Sequence, residues 1–332
     1  MAAPLTILSL CCLLLSAAAA DEAPASLRDT GLPAAGGRLI VVGFAPQYPL
    51  WSDGATKRRW LYLPPGTAID ASDPDAWVFP PGTKLWKEFA HGDPVETRLI
   101  ERLADGSWRY VAYAWEDGEA RLAPAAGLRG WPVAAAPGGR YDVPSQDDCR
   151  ACHEGAAVPV LGLSALQLSP LRDSLAPHAE LPGPGDLDLV GLVGRGLVVN
   201  LPTAALGARI DAASATSRAA LGYLHANCGH CHNERSSVTD RPLVLAQGAR
   251  TGAQRVLETL DGVPSEFRLP GAGLRLVPGN PDASVLIRRM RSRHPVAQMP
   301  PLGTRQADQA GLALLEAWVS LDPDYREVAH HD

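Results

Sequence analysis

The sequence predicts a multidomain α+β protein, with an aromatic-rich antiparallel β domain followed by a mainly α-helical region. Three observations lead there. Seven of the eight tryptophans lie between Trp51 and Trp131, in short runs whose apolar residues alternate as half-buried strands require. Glycine-containing turn signals separate those runs. Beyond residue 210 the apolar spacing lengthens to the three-to-four-residue period of helices. Length and composition agree. A chain of 332 residues suits two or three modest domains, and 46% hydrophobic with 20% charged residues suits buried cores. A net charge of -6 without a Lys/Arg run argues against nucleic acid as a partner.

Residues 1–20 read as a secretory signal peptide. Residues 5–16 are almost wholly apolar, and Ala18, Ala19 and Ala20 supply small residues ahead of Asp21. The n-region is off pattern, with no Lys or Arg. The apolar stretch is short for a membrane span, and Cys11 and Cys12 sit inside it, against lipoprotein processing. The expectation is an exported, periplasmic bacterial chain with no stable transmembrane anchor after cleavage.

Residues 37–122 are the expected β domain. Segments 96–103 and 107–116 flank Ala104-Asp105-Gly106 as a hairpin, and Asp117-Gly118 leads into another strand. Pro-Pro-Gly-Thr occurs at 64–67 and again at 80–83. The aromatic residues suit sheet core and cross-strand pairs better than a binding face. Asp53, Lys84, Lys87, Glu88 and His91 are the polar residues to inspect for a site. No His-x-His or carboxylate cluster marks a catalytic metal there. A Pro/Gly/Ala-rich passage makes 123–145 the expected linker. Residues 146–210 and 211–325 then form two further segments, each with one cysteine motif.

Past residue 20 the cysteines are Cys149, Cys152, Cys228 and Cys231. Cys149-Arg150-Ala151-Cys152-His153 and Cys228-Gly229-His230-Cys231-His232 both follow Cys-x-x-Cys-His, the attachment pattern of c-type haem. Two thiols one helical turn apart can each add to a vinyl group of the same porphyrin. The adjacent histidine then places an imidazole nitrogen on the iron. A zinc site of four thiolates is disfavoured by the separation of the two pairs along the chain. A thioredoxin-like pair lacks its βαβ context, and two short disulfides leave both histidines unexplained. The expected cofactors are two covalently bound c-type haems, held by Cys149 and Cys152 and by Cys228 and Cys231, with His153 and His232 as axial ligands.

The spacing predicts a helix over 214–227 capped by Ser214 or Thr216, a short helix ending near Met290, and a closing helix over 306–321. Met299, followed by Pro300 and Pro301, is the expected distal ligand of the second haem. Its thioether is soft enough for iron and raises the potential. Met290, among Arg288, Arg289 and Arg291, reads as a packing residue. No methionine lies between His153 and Cys228. For the first haem, His178 is therefore the candidate distal ligand, with His91, His225, His294 or an open site as alternatives. His230 reads as a variable position inside the second motif.

Several phrases extend the pattern. Tyr48-Pro49-Leu50-Trp51-Ser52-Asp53-Gly54-Ala55, Phe79-Pro80-Pro81-Gly82-Thr83-Lys84-Leu85-Trp86-Lys87-Glu88-Phe89 and Val95-Glu96-Thr97-Arg98-Leu99 precede the two haem motifs. Gln298-Met299-Pro300-Pro301-Leu302-Gly303-Thr304 follows them. Together these resemble a family of exported bacterial dihaem c-type cytochromes with an N-terminal β domain and a C-terminal cytochrome c domain. The resemblance covers most of the chain past residue 20. It implies a β domain joined to a cytochrome c-type helical region, and it implies no substrate; the His/Met second haem is what points to periplasmic redox partner proteins. The expected function is electron transfer between those partners, and the acidic balance favours a basic docking patch on them. The alternatives are a haem-dependent oxidoreductase or peroxidase, with substrate at the β domain or at an open first haem, and a β domain that serves only to dock.

Overall fold

The structure is a computed structural model that describes residues 22–236, 238–248 and 252–321. The expected signal segment 1–20 lies outside the described residues. The N-terminal half contains strands β1 (Val42–Gly43), β2 (Thr56–Tyr62), β3 (Ile69–Asp70), β4 (Lys84–His91), β5 (Asp93–Arg102), β6 (Trp108–Glu116) and β7 (Glu119–Leu122). All but β3 join one antiparallel sheet in the order β1-β2-β4-β5-β6-β7. A more helical C-terminal region follows, so the fold is α+β.

Turn chemistry sets the register. Between β5 and β6, Gly106 takes a φ of +86° and the Asp105 carboxylate accepts the Ser107 N–H at 2.8 Å, an Asx turn. Between β6 and β7 only Asp117 and Gly118 intervene, both at positive φ, which matches the right-handed twist of the flanking strands. Side chains then alternate between faces. Trp60, Trp86, Leu99 and Val111 align across four strands on one face. That face is closed by Leu27 and Leu32 from the chain ahead of β1. Trp86 donates its indole N–H to Thr30 Oγ1 at 3.0 Å, and Trp115 donates to Thr97 Oγ1 at 2.9 Å. These tryptophans are spent within the fold.

The opposite face carries Leu61, Leu85, Ile100 and Tyr110 in register. Over it pack Val160, Leu163, Leu168, Leu189, Leu192 and Val198, so residues 146–210 share one core with the sheet. Within that segment lie α1 (Gln146–His153), α2 (Leu189–Gly194) and β10 (Val198–Val199), which pairs parallel with β3. Residues 123–145, expected as a linker, contain the hairpin β8 (Leu128–Pro132) and β9 (Arg140–Val143). Gly138 and Gly139 sit at its tip with positive φ. Tyr141 and Val143 are buried against Phe89 and Val95. Pro and Gly mark a turn as readily as a tether, and burial of the flanking side chains decides between them.

The remaining elements are α3 (Ala215–Asn227), α4 (Ala253–Leu260), β11 (Pro264–Leu269), β12 (Ala272–Leu274), α5 (Val285–Arg291) and α6 (Gln309–Val319). Ser214 caps α3 by accepting the Ser217 N–H, as its position before the apolar stripe predicts. Leu221, Leu224, Leu257, Ile287, Leu315 and Trp318 form the second core, which includes Met290. Tyr48, from the loop between β1 and β2, also belongs to this core and lies where a Cβ on Gly222 would overlap its ring. Its hydroxyl donates to Asp173 at 3.1 Å. Among the described residues no helix is long and apolar enough to cross a membrane.

Candidate functional site

The first motif occupies α1. Ser145 and Asp148 form a reciprocal capping box that fixes the start of this short helix. Cys149 and Cys152 follow one turn apart, Cys149 buried and Cys152 half-buried. His153 closes the helix, and its Nδ1 lies 2.5 Å from the Pro159 carbonyl. A carbonyl only accepts, so that contact places the proton on Nδ1 and leaves the Nε2 lone pair free. Burial pushes the His153 pKa down to about 4, which keeps the ring neutral.

The second motif continues α3. Cys228 donates its N–H to Leu224, and the His232 N–H reaches the Cys228 carbonyl at 2.9 Å, so the motif stays coiled as one turn. Gly229 is required by space: a Cβ there would lie 2.7 Å from the His225 carbonyl oxygen and 2.8 Å from Ala246 Cα. Burial first, with the charges of His230 and Arg289, lowers His232 to about 4. Its Nδ1 is buried without a hydrogen-bond partner. Among the described residues, Cys149, Cys152, Cys228 and Cys231 form no disulfide.

The two motifs lie side by side. The Asn233 amide donates to the Gly155 carbonyl beyond the first motif and to the Gly229 and His230 carbonyls of its own, each at 3.1 Å. The ligating atoms of Cys152, His230 and Cys231 all fall within 4.8 Å of one another. Hydrogen bonding to Cys231, with burial, raises Cys152 to about 12, while the same contact lowers Cys231. Burial raises Cys149 to about 11 and Cys228 to about 12. Separation along the chain, which weighed against a shared metal site, is therefore not separation in space. His230, read as a variable position, sits at the junction.

A cavity of about 1050 Å³ opens between sheet and helices, bordered by Cys152 and His153 and, beside them, by Gly229 and His230. Its size reaches the upper end of ordinary cofactor sites. Val158, Val160, Leu163 and Ile210 give it apolar walls, and Arg59, Lys87 and Arg98 line it from the sheet. The half-buried Cys152 thiol, a neutral imidazole with a free Nε2 and an apolar cleft of this size could hold a porphyrin, while Cys149 is buried one turn away and does not line the cleft.

The proposed distal ligands fare differently. Met299 is half-buried in a loop whose backbone is tied to α5: its N–H donates to the Arg289 carbonyl at 3.1 Å, and Arg293 donates to its carbonyl at 3.2 Å. Arg289 is also one of the charges felt by His232, so loop and motif share a neighbour. His178 is engaged elsewhere and does not border the cavity. Its Nε2 lies 2.8 Å from Asp308, the N-cap of α6, and its ring lies 4.7 Å from that of Trp51. The helix cap needs a partner for a buried carboxylate, and His178 supplies it. His225 lines the cavity, but its Nδ1 accepts the Gln247 N–H, which leaves the proton on Nε2. His91 lies at the far end of β4 beside Tyr141, and His294 is exposed. Of the polar residues singled out in the β domain, Asp53 accepts the Arg305 and Gln306 N–H groups and Lys84 donates to Thr30. Glu88 pairs with Arg58, and only Lys87 reaches the cavity.

No family model, curated protein or solved structure matches the chain. The functional reading therefore stands on the residues and their geometry.

Proposed function

We propose that this chain is an exported, periplasmic c-type cytochrome that carries two covalently attached haems and passes electrons between redox partner proteins. The observation that carries the reading is the pairing of two Cys-x-x-Cys-His turns, side by side, with His153 held as a neutral imidazole whose Nε2 is free. The haem iron supplies one-electron chemistry when bound. Cys149 and Cys152 hold one macrocycle and Cys228 and Cys231 the other. His153 and His232 would supply imidazole nitrogens to the irons, and Met299 would supply a thioether at the second haem. The adjacency of the motifs supports electron passage between the two centres, because outer-sphere transfer weakens steeply with distance.

The test is the intact mass of chain exported by a host with haem-attachment machinery, with the absorbance of its alkaline pyridine adduct. Two macrocycles per chain are expected, and a mass equal to the bare polypeptide overturns the reading.

One observation favours a second reading. Cys152, His230 and Cys231 are close enough to hold a single transition-metal ion, since thiolate and imidazole suit zinc or copper. Elemental analysis separates the two: one zinc or copper per chain, lost in Cys231→Ser, supports the ion, and iron at two per chain supports the haems.

A further inference from the structure

The wall of the cavity formed by the sheet has a charge pattern that the sheet itself does not need. Arg59 on β2, Lys87 on β4 and Arg98 on β5 are direct cross-strand neighbours, Arg59 opposite Lys87 and Lys87 opposite Arg98. All three line the cavity. Like charges directly opposite destabilise a sheet, and cations taken from water without counter-charge cost more still. One pleat along, the equivalent row is Leu61, Leu85 and Ile100, which a purely structural sheet would repeat.

Two carboxylates answer part of this charge. Glu96 holds Arg98 through two contacts, at 2.7 and 2.9 Å. Glu180 pairs with Arg59 and lies 4.0 Å from Lys57 on the same face. Asp308 acts on Lys57 from further away, with its oxygens engaged by His178 and Tyr223. Lys87 has no carboxylate within ion-pair distance among the described residues, and its ammonium lies 4.8 Å from the Phe89 ring centre on its own strand. Burial, then the charges of Arg59, Lys57 and Arg98, push its pKa well below the usual range. Four basic side chains thus share this face with two paired carboxylates, and Lys87 is the one whose ammonium form lacks a counter-charge. The row also borders the first motif, since Arg98 and Lys87 both act on His153, and Arg98 acts on Cys149.

We infer that the Arg59–Lys87–Arg98 row is a carboxylate receptor, and that its ligand is the pair of propionate groups on the porphyrin attached at Cys149 and Cys152. The inference rests on the proposed function. The porphyrin carboxylates supply the counter-charge that the row lacks, and their approach favours the ammonium form of Lys87. They also come attached to a group anchored at the same cavity. A free dicarboxylate has the same chemistry, and the experiment separates the two sources.

The full exported chain is compared with Lys87→Gln and with Lys87→Met, which keeps an unbranched stem of similar shape without the amine. Intact mass is measured first, then the reduction potential of each haem. A cation beside a haem favours the reduced iron. Loss of the Lys87 charge is therefore expected to lower the reduction equilibrium constant of one haem about tenfold, close to 59 mV for a one-electron couple. The other haem is unchanged, and Lys87→Arg retains the original value. Two fully loaded variants with both potentials unaltered overturn the receptor while leaving the proposed function intact. Parent chain lacking macrocycles overturns both. Succinate titrated into the loaded parent protein is expected to shift neither spectrum nor potential. A saturable shift that Lys87→Gln abolishes assigns the row to a free dicarboxylate and overturns the propionate assignment.

Discussion

The two motifs are chemically alike and border one cavity, but different elements support them. The first lies by the basic face of a β-sheet, whose Arg98 and Lys87 act on His153. The second grows out of α3 at the edge of a helical core, and the loop that carries Met299 is tied by its backbone to α5. In the proposed cytochrome, identical attachment chemistry would be tuned in two ways: by fixed charge at the first site, and by the identity of the soft ligand at the second. The contrast suits a relay, in which two centres of different potential give direction to electron flow.

That contrast can be broken outright by removing one centre at a time. Cys228→Ala with Cys231→Ala is expected to abolish attachment at the second motif alone, read as the loss of one macrocycle in the intact mass. The matching pair at Cys149 and Cys152 removes only the other. Loss of both haems from either double variant would show that the motifs are one site.

Met299→Leu sharpens the comparison. It is expected to lower the reduction equilibrium constant of the second haem by tenfold or more and to alter its paramagnetic resonance spectrum, with the first haem unmoved. His178→Ala is expected to leave both resonance signals unchanged, because its imidazole is committed to Asp308. A changed signal for the first haem in that variant would restore His178 as its ligand.

Protonation gives a third handle. Burial first, then His230, lowers the pKa of His225 to about 4. Its unfolded value is near 6.5, so between those limits the unfolded chain binds more protons than the native one, and stability rises with pH. The contribution is complete above about pH 6.5 and falls away toward pH 4, by on the order of 2–3 kcal/mol. Denaturant melts at pH 7 and pH 4.5 should show a smaller difference in His225→Gln than in the parent.

Smaller effects probe the joint between the halves. Gly222→Ala places a methyl group on the Tyr48 ring, and overpacking of this kind costs about 1–3 kcal/mol. Tyr48→Phe removes the hydroxyl that donates to Asp173, at about 1 kcal/mol. Thermal denaturation of the two variants measures whether sheet and helices melt as one unit.

Much of this was legible in the residues. The β5–β6 hairpin could be placed because Asp105 and Gly106 have turn chemistry of their own, and α3 because Ser214 precedes an apolar stripe. Both signals are local, and local signals survive in a linear reading. The 123–145 passage misled because its Pro and Gly residues are also local signals, whereas the burial of Tyr141 and Val143 that makes it a hairpin is a contact across the fold. The contact of His178 with Asp308 was equally out of reach: a histidine is visible in sequence, but this partner is far along the chain.

The sequence by itself determined the alternation of the strands, the helix caps and the two Cys-x-x-Cys-His turns, because each depends on residues within a few positions of one another. Only the tertiary structure decided that the two motifs touch, that His230 joins Cys152 and Cys231, and that Arg59, Lys87 and Arg98 stand together on a cavity wall. Such proximity comes from which faces bury against which. Strand register and core packing set it through residues that no short stretch of chain contains.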